Sequence, residues 1–273
     1  MHLMKQANTL ATMIFVVASF TFVNQVDAQE DRRLPVVHPH AHAHNDYLHA
    51  RPLLDALDQG FCSVEADIYL VDGELLVAHD RDQLKIERSL KQLYLEPLRK
   101  RIKTNAGKVH PDGPGFTLLI DIKSDAESTF LALNELLGQY DEVFTRIDGD
   151  KVTDKAVTAI VSGNRANETI LAQSPRFVGI DGRLSDLNSD LLAHQMPLIS
   201  DHWGRNFRWR GDGAISDDDA AKLKNIIQQV HARNRRVRFW SIPDKPIAWK
   251  TLHEAGVDLI NTDKLKELSV FLQ

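Results

Sequence analysis

The sequence predicts an α/β fold closed as a single TIM (β/α)8 barrel. Eight short β-rich runs alternate with helical or loop segments, which calls for a parallel sheet covered on both faces. The chain has 273 residues, and without its first 28 it comes close to the roughly 250 residues usual for such a barrel. Hydrophobic residues make up 43% and charged residues 26%, enough apolar side chain for a full core. A doubly wound open sheet is the alternative; strand count and length favour the closed barrel.

Residues 1–28 read as a secretory signal peptide: Lys5 is the positive start, 9–23 the apolar run, and Val26-Asp27-Ala28 a small-x-small cleavage signal. An uncleaved anchor is the alternative, but the run is short for a bilayer span. The expected mature chain is one domain, 29–273, secreted or periplasmic. The candidate strands are 41–44, 63–69, 117–123, 156–162, 177–181, 197–200, 237–242 and 258–261. Helical stripes fall between them, with Leu53, Leu54 and Leu57 in 51–59 and Phe130, Leu133, Leu136 and Leu137 in 126–140. Ser216 followed by three aspartates caps a helix running to 233, and Pro246 and Gly256 punctuate the next. The stretches 167–173 and 185–194 are short enough to be single turns. After the second strand, Asp72-Gly73 is a hairpin turn, so that strand runs on into a short antiparallel arm. The segment 82–115 is then a mostly helical insertion, expected over one end of the barrel.

The net charge of -5 offers no basic face for nucleic acid and disfavours electrostatic docking on an anionic membrane. The basic, aromatic stretch 204–211 can hold an anionic substrate or touch a lipid surface transiently; a solvated loop is the plainer reading. Cys62 is the only cysteine, so no intrachain disulfide forms, and its place in an apolar strand points to packing.

Side chains two apart on a strand share a face. Glu65 and Asp67 therefore aim together into the barrel at the C-terminal end of the second strand, where barrel active sites lie. Two carboxylates there need a cation or a base; hard oxygen ligands suit Mg²⁺ or Ca²⁺, and an internal ion pair is the alternative. Asp121 and Lys123 repeat the pattern, the aspartate able to complete a metal's ligand set and the lysine to meet phosphate oxygens. His44 ends the first strand and His79 follows the hairpin arm; two histidines flanking a phosphate can serve as base and acid. His38, His40, His42 and His44 alternate as if lining one side of a strand, a conceivable soft-metal tract. The preferred reading leaves His38 and His40 in a mobile lead, with His42 a buried neighbour of the site.

Together HNDY (44–47), SVEADIYLVDGELLVAHD (63–80), LLIDIK (118–123), VRFWSIP (237–243) and AGVDLINTDKL (255–265) resemble the glycerophosphodiester phosphodiesterase and phosphatidylinositol-specific phospholipase C-like superfamily. The resemblance is nearest to the branch named for the altered inheritance of mitochondria protein. It implies a TIM barrel, a divalent cation, and hydrolysis of a phosphodiester or phospholipid through two histidines. By motif, His44 and His79 match the catalytic pair, Glu65, Asp67 and Asp121 the metal ligands, and Lys123 the lysine beside the third ligand. Trp240 matches a pocket aromatic. Two departures stand out. Asn45 replaces the arginine that usually follows the first histidine, and can still give phosphate a hydrogen bond with less charge. Asp121 stands where glycerophosphodiesterases usually carry Glu. A non-catalytic phosphate-binding barrel and a metal-dependent sugar lyase or hydrolase are the competing readings.

Overall fold

Near-continuous apolar runs build strands whose two faces are both buried. In a computed structural model, which describes residues 35–273, they form the wall of a barrel. The expected signal peptide, 1–28, lies outside the described residues. The strands are β1 (His38–Ala43), β2 (Phe61–Val71), β3 (Glu74–Val77), β4 (Phe116–Ile122), β5 (Arg146–Asp148), β6 (Lys151–Thr153), β7 (Val157–Gly163), β8 (Val178–Gly182), β9 (Leu198–His202), β10 (Arg236–Trp240) and β11 (Ile260–Thr262). The helices are α1 (Leu54–Asp58), α2 (Glu96–Thr104), α3 (Ala126–Gly138), α4 (Asn167–Ala172), α5 (Trp203–Asn206), α6 (Asp217–His231), α7 (Pro246–Ala255) and α8 (Leu265–Phe271).

Eight strands pair in the order β10-β9-β8-β7-β4-β2-β1-β11, and the pairs along this path are parallel. A parallel bridge between Arg238 and Leu259 brings the two ends together. The sheet is thus the nearly closed barrel expected, its strands following chain order around the ring. β3 folds back antiparallel on β2 through Asp72 (φ 49°) and Gly73 (φ 85°), the left-handed pair a two-residue hairpin requires. β5 and β6 form a separate small ribbon.

The larger apolar cluster packs strands against helices, and Leu119, Ile160, Leu198 and Leu259 form a second, separate one. These four come from β4, β7, β9 and the residue before β11, on the inward parity of each strand, and plug the barrel. Above the plug the same parity turns polar: Asp67, Asp121, Ser162, Asp181 and Ser200 occupy the next inward positions. The caps behave as their residue types require. Ser216 Oγ accepts from the Asp219 amide at 3.2 Å, and Gly256 closes α7 at φ 91°.

Three expectations change. The segment 82–115 is no lid. Arg88 Nη2 donates to the Tyr47 carbonyl after β1, while His110 Nε2 lies 2.8 Å from the Phe61 carbonyl where β2 starts. The segment therefore descends the barrel wall, with α2 as the crossover helix between β2 and β4. His38 and His40 belong to β1 rather than to a mobile lead. A register shift between His38 and His42 breaks the alternation, so His38 is buried against Ser269 at 3.1 Å while His42 faces Ser63. In 204–211, Phe207 and Trp209 are buried beside Trp203, so those rings offer nothing to a lipid surface. Among the described residues no helix is long and apolar enough to cross a membrane. Cys62 is buried, and burial pushes its thiol up to about 12, an inert packing residue.

Candidate active site

β2 and β4 run in register with Asp67 opposite Asp121, so their carboxylates meet at the C-terminal mouth. Glu65 lies one inward step below, and an oxygen from each of the three falls within 4.8 Å of the others. Lys123 Nζ sits 3.2 Å from Oδ2 of Asp67 and 3.2 Å from Oδ2 of Asp121. The other oxygens, Asp67 Oδ1 and Asp121 Oδ1, are buried and accept no hydrogen bond among the described residues. Burial, then the Glu65 charge, raises the Asp67 carboxyl. Burial, then Asp67, raises Asp121 to about 6. Burial would lower the Lys123 ammonium, but Asp121 and Asp67 outweigh it and hold the group charged.

Glu65 is treated differently. Its Oε2 accepts from Arg238 on β10 and lies 3.3 Å from His42 Nε2. Burial opposes its ionisation, yet the Arg238 guanidinium and His42 keep it well below the ordinary carboxylate range. Burial, then Arg238, lowers His42 to about 3, so this imidazole is neutral. With Ser63 Oγ 2.7 Å from Nδ1, the ring donates through Nε2 to Glu65. His42 is a brace for Glu65, not a proton carrier.

His44 and His79 both join the cluster through the Asn45 and Tyr47 side chains. His44 Nδ1 lies 2.8 Å from Asp263 Oδ1 beyond β11 and 3.0 Å from Asn45 Nδ2. The carboxylate is the stronger partner, which puts the proton on Nδ1 and leaves the Nε2 lone pair open. The hairpin returns His79 to the mouth, where its Nδ1 is 3.1 Å from Asp67 Oδ2. Tyr47 ties the halves together: its hydroxyl donates to Asp67 Oδ2 at 2.7 Å, is 2.8 Å from Asn45 Oδ1 and 3.0 Å from His79 Nδ1. Burial, then Asp67, raises that hydroxyl far above its ordinary value, so it remains a donor. Asn45 reaches this position through a left-handed backbone, φ 48°. Below it Asp46 is buried, accepting from the Leu53 amide at 2.5 Å and Tyr94 Oη at 2.9 Å.

The structure thus gathers His44, Asn45, Glu65, Asp67, His79, Asp121 and Lys123 into one connected group. Trp240 ends β10 on the far side of the mouth, with the Arg183 guanidinium 4.9 Å over its ring. Sequence reasoning missed Tyr47, Arg238, Asp263 and the Asp181–Arg183 pair. The signal for the last lay in parity: Asp181 and Arg183 repeat the inward x-in-between spacing of Glu65 and Asp67.

An eight-stranded barrel with histidines, Glu-x-Asp and Asp-x-Lys at one mouth has the architecture of the glycerophosphodiester phosphodiesterase superfamily. Residues 31–179 match the AIM6-like phosphodiesterase domain, and residues 236–266 match the glycerophosphoryl diester phosphodiesterase family. The chain belongs to the AIM6-like phosphodiesterase family. It is 29% identical to altered inheritance of mitochondria protein 6 of Eremothecium gossypii, over 89% of this chain and 72% of that one. It is 27% identical to the homolog of that protein in Arthroderma benhamiae, over 81% of this chain and 80% of the relative. Among solved structures, a glycerophosphodiester phosphodiesterase from Agrobacterium tumefaciens superposes with a TM-score of 0.51 at 16% identity, covering 86% of this chain and 99% of that one. That likeness speaks for the fold.

Proposed function

We propose that this protein is a divalent-cation-dependent phosphoric diester hydrolase acting on glycerophosphodiesters or related phospholipid-derived diesters. One observation carries the reading: two buried carboxylate oxygens, Asp67 Oδ1 and Asp121 Oδ1, lack partners among the described residues, beside two histidines whose Nδ1 atoms are both held by aspartates. Glu65, Asp67 and Asp121 offer hard oxygen donors in low-dielectric surroundings, the chemistry of a Mg²⁺ or Ca²⁺ site. Gly163 makes room for the Asp121 carboxylate, since a Cβ there would lie 1.9 Å from Asp121 Oδ1. A bound divalent cation supplies positive charge to the phosphate oxygens.

The chain's own groups do the rest. Lys123, already charged between two aspartates, turns toward the phosphate and offsets charge that builds during displacement at phosphorus. Asn45 gives a neutral hydrogen bond where the superfamily usually has arginine. His44 presents Nε2 to take the proton of the attacking hydroxyl, from water or from a neighbouring hydroxyl of the substrate. His79, held through Nδ1, returns a proton to the departing alcohol. A substrate with an adjacent hydroxyl then passes through a cyclic phosphate. With residues 1–28 as a leader, the reaction belongs outside the cytoplasm.

The test is turnover of glycerophosphodiesters, lysophospholipids and a chromogenic diester by the purified protein, with Mg²⁺, with Ca²⁺ and with chelator, beside His44→Ala. Turnover that disappears with chelator, and falls at least about a thousandfold in His44→Ala, supports the reading. Folded protein with no turnover on any diester in either cation sinks it and leaves a phosphate-binding barrel.

A further inference from the structure

The wall of the mouth facing β1 carries two guanidinium groups that the mechanism above does not use. In the strand order β8 lies halfway around the ring from β1. At its end Asp181 is fully buried and accepts from Ser162 Oγ at 2.7 Å and Ser200 Oγ at 2.5 Å. The same oxygen pairs with Arg183 Nη1 at 2.8 Å, and Arg165, from the segment after β7, donates Nη1 to the Asp181 carbonyl. One residue thus anchors two guanidinium groups. Burial, then the charge on Arg183, lowers the pKa of Arg165, so the two cations are close enough to repel. Asp181 lies between them, Asp186 and Asp121 add negative charge near Arg165, and Arg165 Nε is buried with no acceptor among the described residues.

This pair adjoins the carboxylate cluster. Ser162 is the register partner of Asp121, and Arg183 Nη2 reaches Ser162 Oγ at 3.2 Å. On the other side the Arg183 guanidinium covers a face of Trp240 at 4.9 Å. A trimethylammonium head group would seek such an aromatic face, and here a cation of the protein already covers it. Two planar donors and a buried N–H without an acceptor fit an oxyanion.

We infer that Arg165 and Arg183, braced by Asp181 and Trp240, form a second anion subsite that takes a phosphomonoester or carboxylate on the head group of the diester. The inference rests on the phosphodiesterase reading and sharpens it: anionic head groups are preferred over choline.

The test compares kcat/KM for glycerophosphoinositol 4-phosphate and for glycerophosphocholine in wild type, Arg165→Gln and Arg183→Lys. Arg183→Lys keeps a cation beside buried Asp181, so it guards against loss of folding. The wild type is expected to favour the anionic diester, and each variant to lower that preference about tenfold, mainly through KM. A wild-type preference for choline, or an unchanged ratio in both variants, overturns the subsite. Absence of turnover on both diesters counts against the phosphodiesterase reading instead. The subsite is then tested alone by calorimetric titration of the chelator-treated full chain with inositol monophosphate. Binding weakened about tenfold in Arg165→Gln supports it, and equal binding in wild type and variant overturns it.

Discussion

Tyr47 shows how much of this site hangs on one hydroxyl. It has one proton to give and three polar neighbours, Asp67, Asn45 and His79, within 3.0 Å. The charged Asp67 Oδ2 takes the proton, which leaves the hydroxyl's lone pairs to accept from Nδ1 of His79. Tyr47 therefore positions the Asp67 carboxylate and His79 at once. Tyr47→Phe keeps the buried ring and removes only these bonds. Its expected effect is a fall in kcat of roughly 10- to 100-fold and a comparable loss in cation affinity. Stability should drop by only about 1–3 kcal/mol, the usual cost of leaving a buried acceptor unpaired. Turnover, cation titration and thermal midpoint of the one variant separate positioning from folding; unchanged turnover with unchanged cation affinity removes Tyr47 from the site.

At the scale of elements, the strand ends carry the functional groups, and one glycine shapes where they sit. Gly163 closes β7 at φ 69°, where an added Cβ would meet Asp121 Oδ1 at 1.9 Å and the Ile122 carbonyl at 2.5 Å. Gly163→Ala must therefore displace Asp121 or the end of β4, besides adopting a backbone that L-residues avoid at about 1–2 kcal/mol. The expected result is a lower thermal midpoint and a cation affinity down by about tenfold or more. The control is Gly73→Ala in the β2–β3 turn, which meets nothing within 4 Å and shares only the backbone cost at φ 85°. Equal cation affinities in the two variants would mean that Asp121 does not hold the ion. These elements also show what a sequence can reveal. Eight strands, the Asp72-Gly73 hairpin and the caps at Ser216 and Gly256 were legible because each rests on local periodicity or turn chemistry. So were Glu65, Asp67, Asp121 and Lys123, which share strand parity over short spans. Arg238 pairs with Glu65 across 173 residues of chain, and only barrel closure brings them together. The register shift in β1 was hidden as well, because a histidine at every second position reads the same with or without a bulge.

Across the whole molecule, the buried acids link stability to pH and to the cation. Asp46, Asp67 and Asp121 all have carboxyls raised by burial, Asp46 to about 7 and Asp121 to about 6. A carboxyl raised on folding contributes stability that is full below its unfolded pKa and is lost as pH climbs through the folded one. For Asp46 the window runs from the ordinary 3.8 to about 7, and the loss is on the order of 1.4 kcal/mol for each pH unit crossed. Glu65 has the opposite sign: Arg238 and His42 lower it, so its contribution is present above the ordinary glutamate pKa and fades only in stronger acid. Below about pH 6.5, His38, His42, His110 and His194 oppose the raised acids: burial lowers their imidazoles from 6.5, so their contribution to stability grows as pH rises. The thermal midpoint of the chelator-treated protein should therefore fall only above that pH. If Mg²⁺ or Ca²⁺ binds the ionised Asp67 and Asp121 as proposed, linkage restores the part of the loss that belongs to them. Asp46 reaches Leu53 and Tyr94 rather than the carboxylate cluster, so no cation recovers its share. Asp46→Asn should flatten that remainder, with the cation-dependent part intact. Thermal midpoints at pH 5, 6, 7 and 8, with chelator and with each cation, for wild type and Asp46→Asn, resolve the two contributions. A constant offset between wild type and Asp46→Asn from pH 5 to pH 8 would show that Asp46 ionises without cost, and a chelator profile that neither cation shifts would remove the electrostatic case for a cation between Asp67 and Asp121.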